Sequence, residues 1–335
     1  MKPKLPFVSV LIPVHPHKKE VKSAEAARHF DYPADRLEIV VVRTSDLAFG
    51  PGIKRNAGLQ VLKGELVYML DDDSVAGRGM LMRAVEYFLA DPEVRMVGGP
   101  NLCPPDAPAF ERVLGLVMGS WLAFGPSCAR YRSVGRLRIT GEKELISCNL
   151  VAQLAPVKAV GFDPKLVPNE ENAMMDGVQK KGGKLLYDPK FIAYRRPRPT
   201  FKAYAKMLLY YGGGRAQQFR LHPTANSVIN FIPPLFCLYL VLLPLVPLLG
   251  VPAPWALGTL APLALYLLAV LVQTVFVLFR SNPFLAAWAF PLIFLTNVLY
   301  GLGFWHGLFK KIAPPKMPRE GDIWFEYVTP QPPEA

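Results

Sequence analysis

Hydrophobic and polar positions along the chain fall into two regimes that meet near residue 228. In the first, short apolar runs alternate with polar stretches. Residues 7–14 (FVSVLIPV) make a short continuous apolar run rich in β-branched residues and ended by proline, the pattern of a strand buried on both faces. The pattern returns at 37–42 (LEIVVV), after a polar, Ala-rich stretch at 20–30 that predicts a helix. This βαβ spacing predicts parallel strands. A helix over 53–62 leads into a strand at 65–70 (ELVYML), and another helix is predicted at 79–90. Residues 100–150 are rich in Gly and Pro and show no clear order. Beyond them the pattern predicts a loop at 161–168, a helix at 170–181, a strand at 184–187 and an amphipathic aromatic helix at 201–211. Gly212-Gly213-Gly214 is the expected stop of that last helix. Such alternation makes a doubly wound α/β sheet, whose ligands bind beyond the carboxyl ends of its strands.

The second regime holds three apolar stretches, at 229–249, 255–279 and 284–309. Each is long enough for a bilayer core of about 30 Å. Pro244, Pro247, Pro262 and Pro291 would kink them, which membrane helices tolerate. The expected organisation is a folded domain at 1–228 that includes a juxtamembrane helix, a transmembrane region at 229–311 and a polar tail at 312–335. With the first domain inside the cell, three passes would carry the basic tail (Lys310, Lys311, Lys316, Arg319) outside, against the preference for cations on the inner side. Either one stretch is re-entrant or interfacial, or the passes number four.

Composition sharpens this picture. The chain is 51% hydrophobic and only 19% charged, and the skew is local: from 229 to 309 the only formally charged residue is Arg280. A formal charge of +12 suits nucleic acid, an anionic membrane or a phosphorylated substrate. The basic residues come as short groups (Lys18-Lys19, Lys180-Lys181, Arg195-Arg196 with Arg198) without interleaved aromatics, so no nucleic-acid partner is expected. Cys103, Cys128, Cys148 and Cys237 lack C-x-x-C spacing, which leaves neither a zinc site nor a disulfide framework and points to reduced thiols. Lys2 and Lys4 precede a strand rather than a long apolar run, so a signal peptide is not expected and the first domain should stay in the cytosol.

Candidate chemistry centres on Asp71-Asp72-Asp73 at the end of a buried strand. Like charges packed this closely repel and raise one another's pKa, a penalty that a divalent cation removes. Hard carboxylate oxygens favour Mg²⁺ or Mn²⁺, which also bind substrate phosphates. Strand alternation turns Asp71 and Asp73 to one side and Asp72 to the other. The competing reading is a solvated acidic turn in which Ser74 caps the next helix. Glu170-Glu171 opens a predicted helix, where two acids also favour the positive end of the helix dipole.

The motifs around these acids resemble the family 2 glycosyltransferases, inverting enzymes of the GT-A fold. The resemblance runs over residues 7–220. It rests on Val8-Ser9-Val10-Leu11-Ile12-Pro13-Val14, on Lys54-Arg55-Asn56-Ala57-Gly58-Leu59, and on Gly64-Glu65 followed by Leu70-Asp71-Asp72-Asp73. Ser147-Cys148-Asn149-Leu150, Gly161-Phe162-Asp163, Asn169-Glu170-Glu171-Asn172, Gly182-Gly183-Lys184 and Tyr187-Asp188-Pro189 continue it in order.

The resemblance implies a GT-A catalytic domain in the cytosol, anchored in the inner cell membrane by a multi-pass region. It implies a nucleotide-diphosphate sugar, UDP-sugar favoured, held by Pro13, His15, Arg55, Asn56, Asp71 and Asp72. Asp73 would bind Mg²⁺ or Mn²⁺. Glu171 stands where the family has its catalytic base, Glu170 is the alternative, and Asn149 and Asn172 fall on the acceptor side. His15 is equally well a structural residue, and Asp72 a bystander. The family's base-reading aspartate is absent from Arg43-Thr44-Ser45-Asp46, where Asp46 is the only substitute. The Gln-x-x-Arg-Trp motif of processive relatives is not cleanly present, which favours a non-processive enzyme. Arg215, after the glycine triplet, would reach the diphosphate or merely link helix and membrane. Arg195, Arg196 and Arg198 would meet diphosphate or anionic lipid.

The leading expectation is therefore an inverting transfer from a nucleotide sugar to a lipid-linked or membrane-proximal acceptor, in cell-surface polysaccharide or glycolipid synthesis, with membrane lipids as surroundings. The alternatives are a polyprenyl-phosphate sugar synthase and a non-catalytic membrane scaffold that keeps a sugar-nucleotide fold.

Overall fold

A computed structural model describes residues 4–250 and 252–332. The chain falls into two compact units, one formed by Met1–Pro104, Ala129–Arg196 and Ala313–Ala335, the other by Pro105–Cys128 and Pro197–Ile312.

The first unit is built on strands β1 (Val8–Pro13), β2 (Leu37–Thr44), β3 (Leu66–Leu70), β4 (Val75–Ala76), β5 (Val94–Gly98), β6 (Asn101–Leu102), β7 (Arg138–Thr140), β8 (Asn149–Gln153), β9 (Lys184–Tyr187), β10 (Ala193–Tyr194) and β11 (Ile323–Val328). Among the described residues, eight of these form one mixed sheet in the order β11-β2-β1-β3-β8-β5-β9-β7, and β4-β10-β6 form a small second sheet. β1 runs parallel to β2 and β3, whereas β8 lies antiparallel between β3 and β5. All six residues of β1 are buried, as its unbroken apolar run demands.

Alternation sends Val8, Val10 and Ile12 to one face, where they pack with Ala24 and Ala27 of α1 (Lys22–Arg28) and Leu81, Val85 and Phe88 of α3 (Met80–Ala90). Leu11, Val40 and Val42 face the other side. There they meet Leu59 of α2 (Pro51–Val61), Val157 of α6 (Leu154–Val160) and Met174, Met175 and Val178 of α7 (Glu170–Lys180). Gly58 of α2 is required by this contact, since a Cβ there would lie 2.3 Å from Leu11 Cδ1.

The second unit is helical: α4 (Ala109–Met118), α5 (Trp121–Phe124), α8 (Phe201–Leu221), α9 (Ile232–Leu242), α10 (Ala253–Gly258), α11 (Ala261–Leu278) and α12 (Pro283–Phe309), with a 3₁₀ stretch at Leu243–Leu249. Ser227–Leu249, Ala253–Leu278 and Pro283–Phe309 are long and apolar enough to cross a membrane.

Three features depart from the sequence expectations. α8 does not stop at Gly212-Gly213-Gly214 but runs through them to Leu221. These glycines are a packing face: a Cβ on Gly212 would lie 2.1 Å from the Tyr300 carbonyl oxygen, and one on Gly307 would lie 2.3 Å from that of Gly213. Neighbouring α12 thus supplies the contacts that offset the low helix propensity of three glycines. The expected polar tail contributes β11, and residues 105–128 and 197–228 group with the apolar segments, so a single cut at 228 does not describe the units. Ser74 does not cap a helix; α3 begins after Gly79, and Ser74 lies buried in the turn between β3 and β4.

Candidate active site

The acidic triplet leaves the carboxyl end of β3, near the middle of the sheet, and β4 follows at once. β10 pairs antiparallel with β4 (Ala193↔Ala76, Tyr194↔Val75), which delivers the next residue, Arg195, to the triplet. Arg195 Nη1 lies 3.0 Å from Asp71 Oδ2, and its Nε lies 2.8 Å from Asp73 Oδ1. Asp72 turns elsewhere: it accepts from the His15 backbone N–H at 3.1 Å and from Lys18 Nζ at 2.8 Å. Asp71 and Asp73 therefore share one guanidinium, and Asp72 ties the triplet to the loop after β1.

Arg55 is the second organiser. It sits in α2, 2% exposed, with Nη2 donating to Asp71 Oδ1 at 2.9 Å and Nη1 donating to Glu170 Oε1 at 2.8 Å. The carboxylates beside it hold its pKa above the ordinary value despite burial. Gly52 lets α2 come this close, because a Cβ there would lie 3.0 Å from Glu170 Cγ.

Glu170 and Glu171 open α7, and successive helix positions point about 100° apart. Their fates differ accordingly. Glu170 is buried against Arg55, and that burial pushes its carboxyl up to about 7, the nearby guanidinium acting in the opposite direction. Glu171 is partly open to solvent. It accepts a short hydrogen bond from Ser147 Oγ and lies 4.0 Å from Arg55 Nη1 and 4.0 Å from Arg130 Nη1. Arg130 is itself tied down by donating through Nε to the Lys143 carbonyl at 2.8 Å, and it sits 3.9 Å from Glu142. Asn169, just before α7, adopts a left-handed conformation with φ 78°.

These contacts join into one network in which Arg55, Arg130 and Arg195 face Asp71, Asp73, Glu142, Glu170 and Glu171. Fully ionised, the acids outnumber the bases. A divalent cation would offset that excess, and a proton held on Glu170 would offset half of it. Cys148 lies beside the network, fully buried, and burial pushes its thiol up to about 12, so it is no nucleophile.

The remaining sequence candidates scatter. Pro13 is buried at the end of β1, and His15 is exposed with its ring against His17. Asp46 accepts from the Ala48 N–H at 2.8 Å and pairs with Lys316, which comes from the C-terminal stretch. Asn56 is consumed by the loop before α7: its Nδ2 donates to the Phe162 carbonyl at 2.7 Å and its Oδ1 accepts from the Phe162 N–H at 2.8 Å.

Asn149 and Asn172, expected on the acceptor side, are both fully buried. Asn149 accepts from Tyr68 Oη at 2.8 Å and donates to the Phe191 carbonyl at 2.9 Å, and Asn172 donates to Glu142. Arg215 belongs to the second unit, buried on α8, with Nη1 donating to Gln218 Oε1 at 3.1 Å.

Sequence reasoning missed Arg130, Ser147 and Glu142 as members of the network. It also placed Arg195 only among several basic residues. Arg130 and Glu142 lie in the stretch without periodic pattern, so nothing local distinguished them from surface charges. Asn101 on β6 is 4% exposed, and neither of its amide atoms has a hydrogen-bond partner among the described residues.

Residues 3–209 match the model of a family described as glycosyltransferase like family 2. No curated protein matches the sequence significantly. Among solved structures the chain is similar to the mannosyltransferase PcManGT from Pyrobaculum calidifontis in complex with GDP-Man and Mn²⁺. The identity is 17%, over 91% of this chain and 87% of that one, with a TM-score of 0.52, a likeness of fold. It is also similar to S. aureus TarS 1–349 in complex with UDP-GlcNAc, at 13% identity over 95% of this chain and 99% of that one, with a TM-score of 0.45.

Proposed function

The chain belongs to glycosyltransferase-like family 2, and from that premise we propose that it transfers a sugar, with inversion, from a nucleotide diphosphate to an acceptor held at a membrane surface. The observation that carries this reading is the division of labour within one charged network. Asp71 and Asp73 converge on a shared cation at the end of β3, while Glu171, unlike its buried neighbour Glu170, is partly exposed beside them.

The reaction needs a base for the acceptor hydroxyl and positive charge for the departing diphosphate. Glu171 takes the proton as the hydroxyl oxygen attacks the anomeric carbon and the bond to the diphosphate breaks. Ser147 orients its carboxylate by hydrogen bonding. Glu170 is the positioning partner, fixing Arg55 against Asp71 rather than touching substrate. Arg195, poised on Asp71 and Asp73, is the side chain that meets the diphosphate.

A divalent cation fits the donor side. Two hard carboxylates already face one positive group there. Among the described residues no group of three or more His, Cys, Asp or Glu side chains gathers to hold a metal, so a bound Mg²⁺ or Mn²⁺ would have to take the rest of its shell from water and phosphate oxygens. Asp73, with Asp71 beside it, would hold the ion, and its chemistry would be to neutralise charge on the leaving diphosphate. PcManGT, solved with GDP-Man and Mn²⁺, is a precedent for that pairing in a similar fold.

The three apolar helices support a multi-pass enzyme of the inner cell membrane, with the first unit on the cytosolic side and a lipid-linked acceptor in cell-surface polysaccharide or glycolipid synthesis. The test is thermal shift in detergent with UDP-, GDP- and dTDP-sugars, each with Mn²⁺, Mg²⁺ or chelator. Stabilisation by one donor class only when metal is present is expected. Stabilisation by none, or equal stabilisation in chelator, overturns the donor-site assignment.

A further inference from the structure

Three apolar segments, each long enough to cross a bilayer, separate the body of the first unit from its last strand. Three crossings would put the two ends of the apolar region on opposite sides. The ends are joined instead: β11, after the last segment, pairs antiparallel with β2, before the first, from Ile323↔Thr44 to Val328↔Ile39. A folded sheet lies on one side of a membrane, so the crossings between them must be even in number. Lys310, Lys311, Lys316 and Arg319 then lie on the side of the first unit, in keeping with the inner-side preference for cations.

We propose that Ser227–Leu249, together with α10, is a re-entrant element that enters and leaves the bilayer on the side of the first unit, and that α11 and α12 are the two crossings. This rests on the membrane reading given above.

The path of the chain within the second unit identifies the segment that does not cross. α9 lies along the C-terminal half of α12: Trp305 Nε1 donates to the Pro234 carbonyl at 2.9 Å, and Cys237 Sγ donates to that of Val298 at 3.3 Å. The chain leaves this level at Tyr239 and is back at Thr259, where Tyr239 Oη donates to the Thr259 carbonyl at 2.7 Å. The rings of Phe236 and Tyr266 meet at 4.5 Å. The helical part of the returning arm, α10, climbs about 9 Å. That is less than half of the roughly 30 Å core. α11 and α12, by contrast, run antiparallel from the contact of Tyr266 with Phe294 and Asn297 to a common turn after Phe279.

The chemistry of the two turns makes the same distinction. The first, Leu248-Leu249-Gly250 followed by Pro252-Ala253-Pro254-Trp255, has no charged side chain, and Leu248, Leu249 and Trp255 are 79%, 75% and 75% exposed. Pro244, Pro247, Pro252 and Pro254 withhold the N–H groups that a turn in lipid would leave unsatisfied. The second turn carries Arg280, exposed, and Asn282, whose side chain accepts from the Leu285 N–H to cap α12. An arginine held at mid-bilayer is costly, a cost avoided when the turn emerges among headgroups on the far side.

The test uses the full chain in sealed vesicles of known orientation. Leu249→Cys, Arg280→Cys and Lys316→Cys are made in a Cys103→Ser background, the other native cysteines being buried. Membrane-impermeant maleimide is expected to label Lys316→Cys from the side of the first unit and Arg280→Cys only from the opposite side. Leu249→Cys should label from the side of the first unit or only after detergent. Labelling of Leu249→Cys from the far side, of Arg280→Cys from the near side, or of Lys316→Cys from the far side overturns the proposal. Release of the unmodified protein by alkaline carbonate would instead overturn the membrane reading on which it rests.

Discussion

Two pairs of acids meet in one charged network and behave in opposite ways. Asp71 and Asp73, in the turn that follows β3, converge on Arg195. Glu170 and Glu171, adjacent on a helix, diverge, one buried on Arg55 and the other open beside Ser147. Local backbone geometry decides this: a turn closed by the Ser74 N–H on the Asp71 carbonyl holds Asp71 and Asp73 on one guanidinium, whereas adjacent helix positions point about 100° apart. A converging pair suits one cation. A diverging pair can assign structure to one member and proton transfer to the other.

Removing the base is the largest effect that would test this contrast. Glu171→Gln is expected to lower kcat by about 10²–10⁴-fold, the range general-base catalysis supplies, with donor affinity little changed. Glu170→Gln should act mainly on stability rather than turnover, because Glu170 is a buried partner of Arg55. Turnover and melting temperature measured on both variants give the answer. If Glu170→Gln keeps its fold but loses turnover while Glu171→Gln retains it, the two roles are exchanged.

On the donor side, Asp73→Asn keeps the shape and removes one charge from the converging pair. It should abolish the metal-dependent part of donor stabilisation in thermal shift and weaken donor binding by about 10–100-fold, the worth of one charge-assisted contact. Unchanged metal dependence would mean that the converging pair is only an ion pair with Arg195.

The fate of each acid was only partly legible in the sequence. The apolar runs at β1, β2 and β3 announced the sheet because burial on both faces leaves little room for polar positions. The alternation Ile323-Trp324-Phe325-Glu326-Tyr327-Val328 carried the same signal for β11, but the Pro-rich stretch around it hid a strand whose partner lies far away in the chain. The glycines of α8 misled for a related reason: helix propensity is local, whereas the contact with α12 that explains them is not. Arg130, Ser147 and Glu142 were invisible as a group, since only folding brings residues from irregular segments to Glu171 and Asn172. Asn149 and Asn172 were legible as special positions, but not as buried ones.

A smaller effect separates the two glutamates by pH. Burial raises the Glu170 pKa from 4.5 to about 7, so the folded chain holds this proton more tightly than the unfolded chain does. Its contribution to stability is therefore full below about 4.5 and falls as pH rises toward about 7, beyond which it is constant. Melting temperature followed across that window should decline less steeply in Glu170→Gln than in the parent, whatever the baseline offset between them. An identical slope would show that Glu170 is ionised throughout, with Arg55 outweighing burial.

Asp72 gives the smallest predicted effect and the sharpest control, because it belongs to the same triplet but faces away from the shared cation. Its partners are the His15 backbone N–H and Lys18, whose side chain is 32% exposed. Asp72→Asn keeps an oxygen for the amide and forfeits only a partly solvated ion pair, worth roughly 0.2–1 kcal/mol. Melting temperature should fall by a few degrees at most, and turnover should stay within about twofold, well inside the range where surface substitutions fall. Metal-dependent donor stabilisation should survive intact. A loss matching that of Asp73→Asn would mean that the triplet works as an undivided acidic surface, and the convergence of Asp71 and Asp73 on Arg195 would then carry no functional distinction.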